Sequence, residues 1–174
     1  MSAERLARNL TVLALIGGLA VISTAWGFQL IGGYVPCKLC LEQRFPFYAG
    51  LPLMAVALML MGRERRGLAM LLLLVATAVF AYGAGLGVYQ AGAEWQFWAG
   101  PSDCGGGSAA PAKAADMLQA LQSTRVVSCT EASWRMFGLS FAGWNAVASA
   151  GIALLALISA VLLKQRPNRV SVGA

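Results

Sequence analysis

The chain has 174 residues, 59% hydrophobic and only 11% charged, with a mean hydropathy of +0.68. Soluble domains carry about a quarter charged residues, so the composition excludes an ordinary soluble protein and points to one integral to a lipid bilayer. A net charge of +6 would suggest nucleic acid in a soluble chain, but among long apolar runs it speaks to orientation in a membrane and no nucleic-acid partner is expected.

Residues 10–31 form an apolar run of about 22 residues, enough for the roughly 20 that cross a bilayer. Arg5 and Arg8 precede it as in a signal peptide, yet signal cores are only about 7–15 residues long, which favours a retained span. A second, short span is expected over 44–61. Pro46 falls in its first turn, where a missing N–H costs little, and Pro52 is expected to kink it. Arg63, Glu64, Arg65 and Arg66 make a tight basic turn, after which 68–90 and 141–163 supply the third and fourth spans. The expected fold is an all-α membrane protein, a four-transmembrane-helix bundle in one domain over 1–174, with outer loops at about 32–43 and 91–140.

Lysine and arginine placement sets the orientation. Arg5, Arg8, Arg63, Arg65, Arg66, Lys164, Arg166 and Arg169 fall on one side with Glu4 and Glu64. The other side balances Lys38, Arg44, Lys113, Arg125 and Arg135 against Glu42, Glu94, Asp103, Asp116 and Glu131. Both termini are therefore expected in the cytoplasm and all four cysteines outside. Trp26, Trp95, Trp98, Trp134 and Trp144 gather near the outer boundary, as an interfacial belt does.

In the outer loop, Ala114, Met117, Leu118 and Leu121 follow helical spacing and read either as a short interfacial helix or as an ordinary loop helix. Gly83, Gly85 and Gly87 resemble fragments of a nucleotide fingerprint, but inside a membrane span small residues more often let helices pack closely. Gln29, Asn145 and Ser149 are expected to hydrogen-bond between helices, with a quinone contact as the lesser reading.

The chemistry lies in Cys37, Cys40, Cys104 and Cys129, since a chain without histidine has no imidazole ligand or base. Cys37 and Cys40 form a Cys-x-x-Cys pair between two apolar runs, and Arg44 follows Cys40 by four residues. If a helix begins near Cys40, the guanidinium shares its face, and the cation and the helix N-terminus both favour a thiolate. Three readings stand: two structural staples, a four-thiolate zinc site, or a relay of two redox pairs. Zinc sites usually bring two close cysteine pairs, and Cys104 and Cys129 are far apart in sequence. Arg44 beside Cys40, and Gly105, Gly106 and Gly107 beside Cys104, favour the relay. Disulfide exchange only passes oxidation onward. A membrane protein without haem ligands or a nucleotide site has a lipid-soluble quinone as its obvious electron sink, with Arg44 able to hold a quinone oxygen.

The chain resembles the bacterial DsbB family, membrane oxidases that reoxidise the periplasmic dithiol oxidase DsbA. The likeness rests on residues 36–44 (Pro-Cys-Lys-Leu-Cys-Leu-Glu-Gln-Arg) and on 100–104 (Gly-Pro-Ser-Asp-Cys). It continues from Cys129 through Trp134 and the Phe-Gly-Leu-Ser of 137–140 to Trp144. Quinone-linked vitamin K epoxide reductases also use four cysteines, but place the quinone-facing pair near the last helices. The resemblance implies a Cys104–Cys129 disulfide attacked by a reduced DsbA-like partner. Cys129 would then attack Cys37, and Cys40 would pass electrons to a quinone held by Arg44 and Cys40, ubiquinone favoured over menaquinone. It implies an inner-membrane redox enzyme supporting disulfide formation in exported proteins. A disulfide-stapled scaffold or carrier is the non-enzymatic alternative. Some family members carry a histidine near the outer end of the third helix, where this chain has Gln90.

Overall fold

The structure, a computed structural model, describes residues 2–61, 65–101, 130–132 and 134–164, and the backbone of 125–126. Helix α1 (Ala3–Leu30) leads through a short strand β1 (Tyr34–Val35) into a five-residue helix α2 (Lys38–Glu42). Two long helices follow, α3 (Phe45–Met61) and α4 (Arg66–Glu94). Strands β2 (Arg125–Val126), β3 (Arg135–Met136) and β4 (Leu139–Ser140) precede the last helix, α5 (Phe141–Lys164).

Four segments are long and apolar enough to cross a membrane: α1, α2 with α3, α4, and α5. Helix α4 packs along α3 and α5, and α1 packs along α3 and α5, so α1 faces α4 across the bundle diagonal. Lipid-facing positions keep large apolar side chains exposed, among them Leu13, Ile16, Leu71 and Leu154. Burying apolar surface gains little against lipid, so close packing must hold the bundle. Phe47 and Phe80 meet edge to face at 5.4 Å in its centre, ringed by Met54, Leu51 and Leu73. A Cβ on Gly87 would lie 2.8 Å from the Ala146 backbone nitrogen, and one on Gly83 would lie 2.8 Å from Pro46 Cγ. Both glycines thus let neighbouring helices approach, whereas Gly85 faces open space.

Helix α1 begins earlier than the apolar run because its first turn is capped. The Ser2 hydroxyl accepts the Arg5 N–H at 3.4 Å, and Glu4 pairs with Arg66 of α4 at 2.8 Å. At its far end Gly33 takes φ +68°, a left-handed conformation that releases the chain into β1. Helix α4 runs on past Gln90 to Glu94, longer than its apolar core requires. The expected helix near Cys40 is interrupted: α2 closes at Glu42, and the Arg44 N–H bonds to Leu41 rather than continuing an α-helical ladder.

Two small strand pairs accompany the helices at the end of the bundle that carries Cys37 and Cys40. β1 pairs with β2 in parallel, Tyr34 opposite Arg125 and Val35 opposite Val126. β3 and β4 form a hairpin whose turn residue Phe137 takes φ +52° and Gly138 φ +82°. Trp26, Trp95, Trp98, Trp134 and Trp144 lie at this same end, on the last turns of α1, beyond α4 and around the start of α5.

Candidate functional site

Cys37 and Cys40 are joined in a disulfide, with Cys37 as the N-cap of α2 and fully buried. Its Sγ accepts the Cys40 backbone N–H at 3.1 Å. Cys40 is the more accessible of the two and lines a cavity of about 370 Å³ at the end of the bundle that carries this pair. The walls are mainly apolar and aromatic, with Phe28 and Phe141 in contact at 4.8 Å and Trp134 stacked on Phe141 at 5.0 Å. Gln29, Gln43, Arg44, Gln90, Glu94 and Asn145 bring polar groups into it.

Arg44 is buried at the α2–α3 turn and lines the cavity with Cys40. Because α2 ends before Arg44, the pair does not meet through a continuous helical i, i+4 face. The guanidinium donates from Nη1 to Gln29 Oε1 at 2.6 Å and lies 5.3 Å from the centre of the Trp26 ring. Trp26 is fixed in turn by its indole N–H, which donates to the Tyr48 hydroxyl at 2.9 Å. A charge held by an amide and an aromatic face keeps a defined direction.

The side chain that approaches the sulfurs is Gln90, only 2% exposed. Its Nε2 donates toward Cys40 Sγ at 3.7 Å, Cys37 Sγ at 3.9 Å and Glu94 Oε1 at 3.3 Å. Its Oε1 accepts from Gln43 Nε2 at 2.5 Å, and Gln43 Oε1 accepts from Asn145 Nδ2 at 2.7 Å. Three amides thus run from α5 across the α2–α3 turn to α4, each N–H aimed toward the disulfide. Hydrogen bonds aligned head to tail polarise one another.

Gln29 and Asn145, expected to bond between helices, bond instead to Arg44 and Gln43 in the α2–α3 turn, as part of the site. Ser149 does not: its buried hydroxyl has no partner among the described residues, while a Cβ on Gly83 would touch it. Gln43, Trp26 and Glu94 were not singled out by motif. The available signal for Glu94 was its position, four residues after Gln90 at the end of a long apolar run, where ionisable side chains often carry function.

Cys104 and Cys129 lie outside the described residues, as do the glycines at 105–107 and the stretch read as an interfacial helix. Their sequence neighbours are described. Gly100 packs against Thr130, the residue after Cys129, closely enough that a Cβ on the glycine would meet the Thr130 methyl. The β1–β2 pairing sets the chain just before Cys129 beside the chain just before Cys37.

Comparison with protein families finds a match to the model described as "Disulfide bond formation protein DsbB" over residues 7–159. No curated protein and no solved structure matches the chain. With four apolar helices and a paired Cys-x-x-Cys inside the matched region, this chain belongs to the DsbB family of multi-pass membrane thiol oxidoreductases that serve disulfide bond formation.

Proposed function

We propose that this protein is a quinone-dependent thiol:disulfide oxidoreductase of the bacterial inner membrane that reoxidises a periplasmic DsbA-like dithiol oxidase. One observation carries the reading: the Cys37–Cys40 disulfide borders an apolar cavity that also presents Arg44 and Gln90. A structural staple needs no ligand-sized pocket against one of its sulfurs.

The residues present fit a quinone. The cavity volume lies in the range of small-molecule sites, and its aromatic walls suit a flat ring. Arg44 and the amides offer donors for ring oxygens, and the buried Glu94 Oε2 has no hydrogen-bond partner among the described residues. A bound quinone, ubiquinone favoured over menaquinone, supplies a sink for two electrons and two protons.

In this reading the thiolate of the reduced partner attacks Cys104 of a Cys104–Cys129 disulfide, and Cys129 is released. Cys129 then attacks Cys37, freeing Cys40 as the sulfur facing the cavity. The Gln90 amide stabilises negative charge on that sulfur, and Arg44 stabilises charge developing across the cavity. The partner's second thiol then displaces Cys104, and Cys104 displaces Cys37 from Cys129. The resulting Cys37/Cys40 dithiol closes again, its two electrons and two protons passing to the quinone. Two observations support the exchange between loops: Gly100 against Thr130, and β1 against β2. The basic residues near the termini and at 63–66 support cytoplasmic termini and periplasmic cysteines.

The test uses purified protein, a soluble ubiquinone analogue and a reduced DsbA-like partner, with quinone absorbance as the readout. Partner-dependent quinone loss that vanishes in Cys37→Ser is the expected result. No quinone loss, with all four sulfurs still oxidised, would return the cysteines to stapling.

A further inference from the structure

Glu94 is the one carboxyl among the described residues that line the cavity. It closes α4 and is 9% exposed. Its backbone carbonyl accepts from the Arg135 guanidinium at 3.4 Å, and Oε1 accepts from Gln90 Nε2 at 3.3 Å. Oε2 is buried and accepts no hydrogen bond from the described residues. Buried polar oxygens ordinarily find a donor, and an anionic oxygen without one is costly. A proton on Oε2 removes that cost and turns the atom into a donor. Among the described residues, the other groups that the same Gln90 N–H reaches are the two sulfurs, whose oxidation from the dithiol releases protons.

Other ionisable and polar groups face this carboxyl from several elements. Arg135 on β3 attracts its charge and the Ser140 hydroxyl on β4 interacts with it. The Cys37–Cys40 pair on α2 shares its Gln90 donor, while Arg44 at the α2–α3 turn and Tyr34 on β1 line the same cavity. Guanidinium groups do not release their protons, and the chain has no histidine. Among the described residues that line the cavity, Glu94 is therefore the carboxyl placed to exchange a proton beside this disulfide.

We propose that Glu94 is the proton-exchanging residue of the site, giving its Oε2 proton to an oxygen of the electron acceptor as the Cys37/Cys40 dithiol closes. This rests on the quinone reading above. In the balanced step, two thiols and a quinone give a disulfide and a quinol. Two S–H bonds break, one S–S bond forms, and the electron pair passes to the acceptor. Glu94 donates one proton and is recharged by one of the two thiol protons. The other thiol proton leaves to the outer aqueous phase, and an equal one taken up from that phase completes the quinol. Gln90, holding Oε1, is a positioning residue: it keeps Oε2 turned to the cavity in both sulfur states.

The test has two arms. Infrared difference spectra are recorded on quinone-free Cys104→Ser/Cys129→Ser protein, so that dithiothreitol and its oxidised form switch only Cys37/Cys40. A protonated-carboxyl band that shifts between the two states, moves in deuterium oxide and vanishes in Glu94→Gln is expected. Turnover is then followed against pH in the four-cysteine protein. Glu94→Gln, which keeps an acceptor for Gln90, should lower kcat at least about ten-fold, in line with lost general acid–base catalysis, and flatten its pH dependence. The quinone KM should stay within about three-fold, as for a group that acts in the reaction rather than in uniform binding. Glu94→Asp, with the carboxyl retained on a shorter arm, should recover part of kcat and the pH dependence. If either variant is recovered unfolded, the wild-type infrared shift and the remaining variant decide. Wild-type turnover with an unmoved carboxyl band, or with an unaltered pH profile in Glu94→Gln, overturns this role and leaves the quinone reading standing. Absence of quinone-dependent turnover in the wild type overturns the quinone reading instead.

Discussion

Gln90 Nε2 lies 3.7 Å from Cys40 Sγ, at the end of a line of amides that starts at Asn145. A neutral amide thus stands beside a reactive sulfur in a mainly apolar cavity. Its N–H can stabilise a thiolate without bringing a second charge into the membrane. Gln90→Leu should remove that donor and leave Gln43 Nε2 without its acceptor. We expect a stability loss of about 1–3 kcal/mol from the unpaired buried amide. In a Cys37→Ser background, alkylation of Cys40 at neutral pH should also slow several-fold, while Gln90→Asn retains part of the effect. Alkylation unchanged in Gln90→Leu would leave the amide a packing role only.

Arg44 is positioned for a different task. Gln29 and Trp26 hold its guanidinium in the cavity wall, and no bond to either sulfur competes with them. Arg44→Ala should therefore raise the quinone KM by about ten-fold or more, the loss of one charge-assisted hydrogen bond. Thiol exchange with a reduced DsbA-like partner, followed without quinone, should stay within about two-fold, because sulfur-to-sulfur exchange places no charge on a quinone oxygen for Arg44 to hold. Arg44→Lys keeps the charge but not the planar fork and should restore only part of the affinity. Equal losses in both half-reactions would remove Arg44 from quinone binding.

The helices and the reactive pair were legible because length and spacing settle them: apolar runs of bilayer length, and two cysteines followed by an arginine. What the sequence could not show was direction. Helices such as α4 are apolar nearly all round, so hydrophobicity does not say which face turns inward. Gln29, Asn145 and Ser149 looked alike as polar residues in apolar runs. Two of them converge on the cavity, while Ser149 sits unpaired against Gly83. The break at Gln43–Arg44 likewise depends on tertiary bonds, with Gln43 tied to Gln90 and Asn145. Glu94 was hidden because an acidic residue at the end of a span reads first as an interfacial charge.

The glycines of α4 make a sharp pair of opposites. A methyl group at Gly87 would press on Ala146 N at 2.8 Å and Ala142 O at 2.9 Å, backbone atoms that yield only if α4 and α5 separate. Gly87→Ala should cost about 1–3 kcal/mol, as overpacking does. Gly85 has open space, and Gly85→Ala should be neutral or stabilising by up to about 1 kcal/mol through helix propensity. Unfolding midpoints of the two variants in one detergent check both. A Gly87→Ala protein as stable as wild type would show that α4 and α5 can spread at no cost.

The cysteines themselves should divide the reaction in two. Cys104→Ser keeps the Cys37–Cys40 pair, the Gln90 donor and the described lining of the cavity, all supplied by other residues. Quinone should still reoxidise a chemically reduced Cys37/Cys40 pair in that variant, while electron flow from the DsbA-like partner falls to background. Cys37→Ser should do the reverse: it retains the partner-facing sulfurs and can trap a mixed disulfide through Cys104, yet cannot close the pair that borders the cavity. Non-reducing gels of partner-treated protein, read beside quinone absorbance, separate the cases. A Cys104→Ser protein that still turns over with the partner would mean that the partner reaches Cys40 directly through the cavity mouth. The second pair would then be a staple, and the relay would shrink to the single disulfide at the end of the bundle.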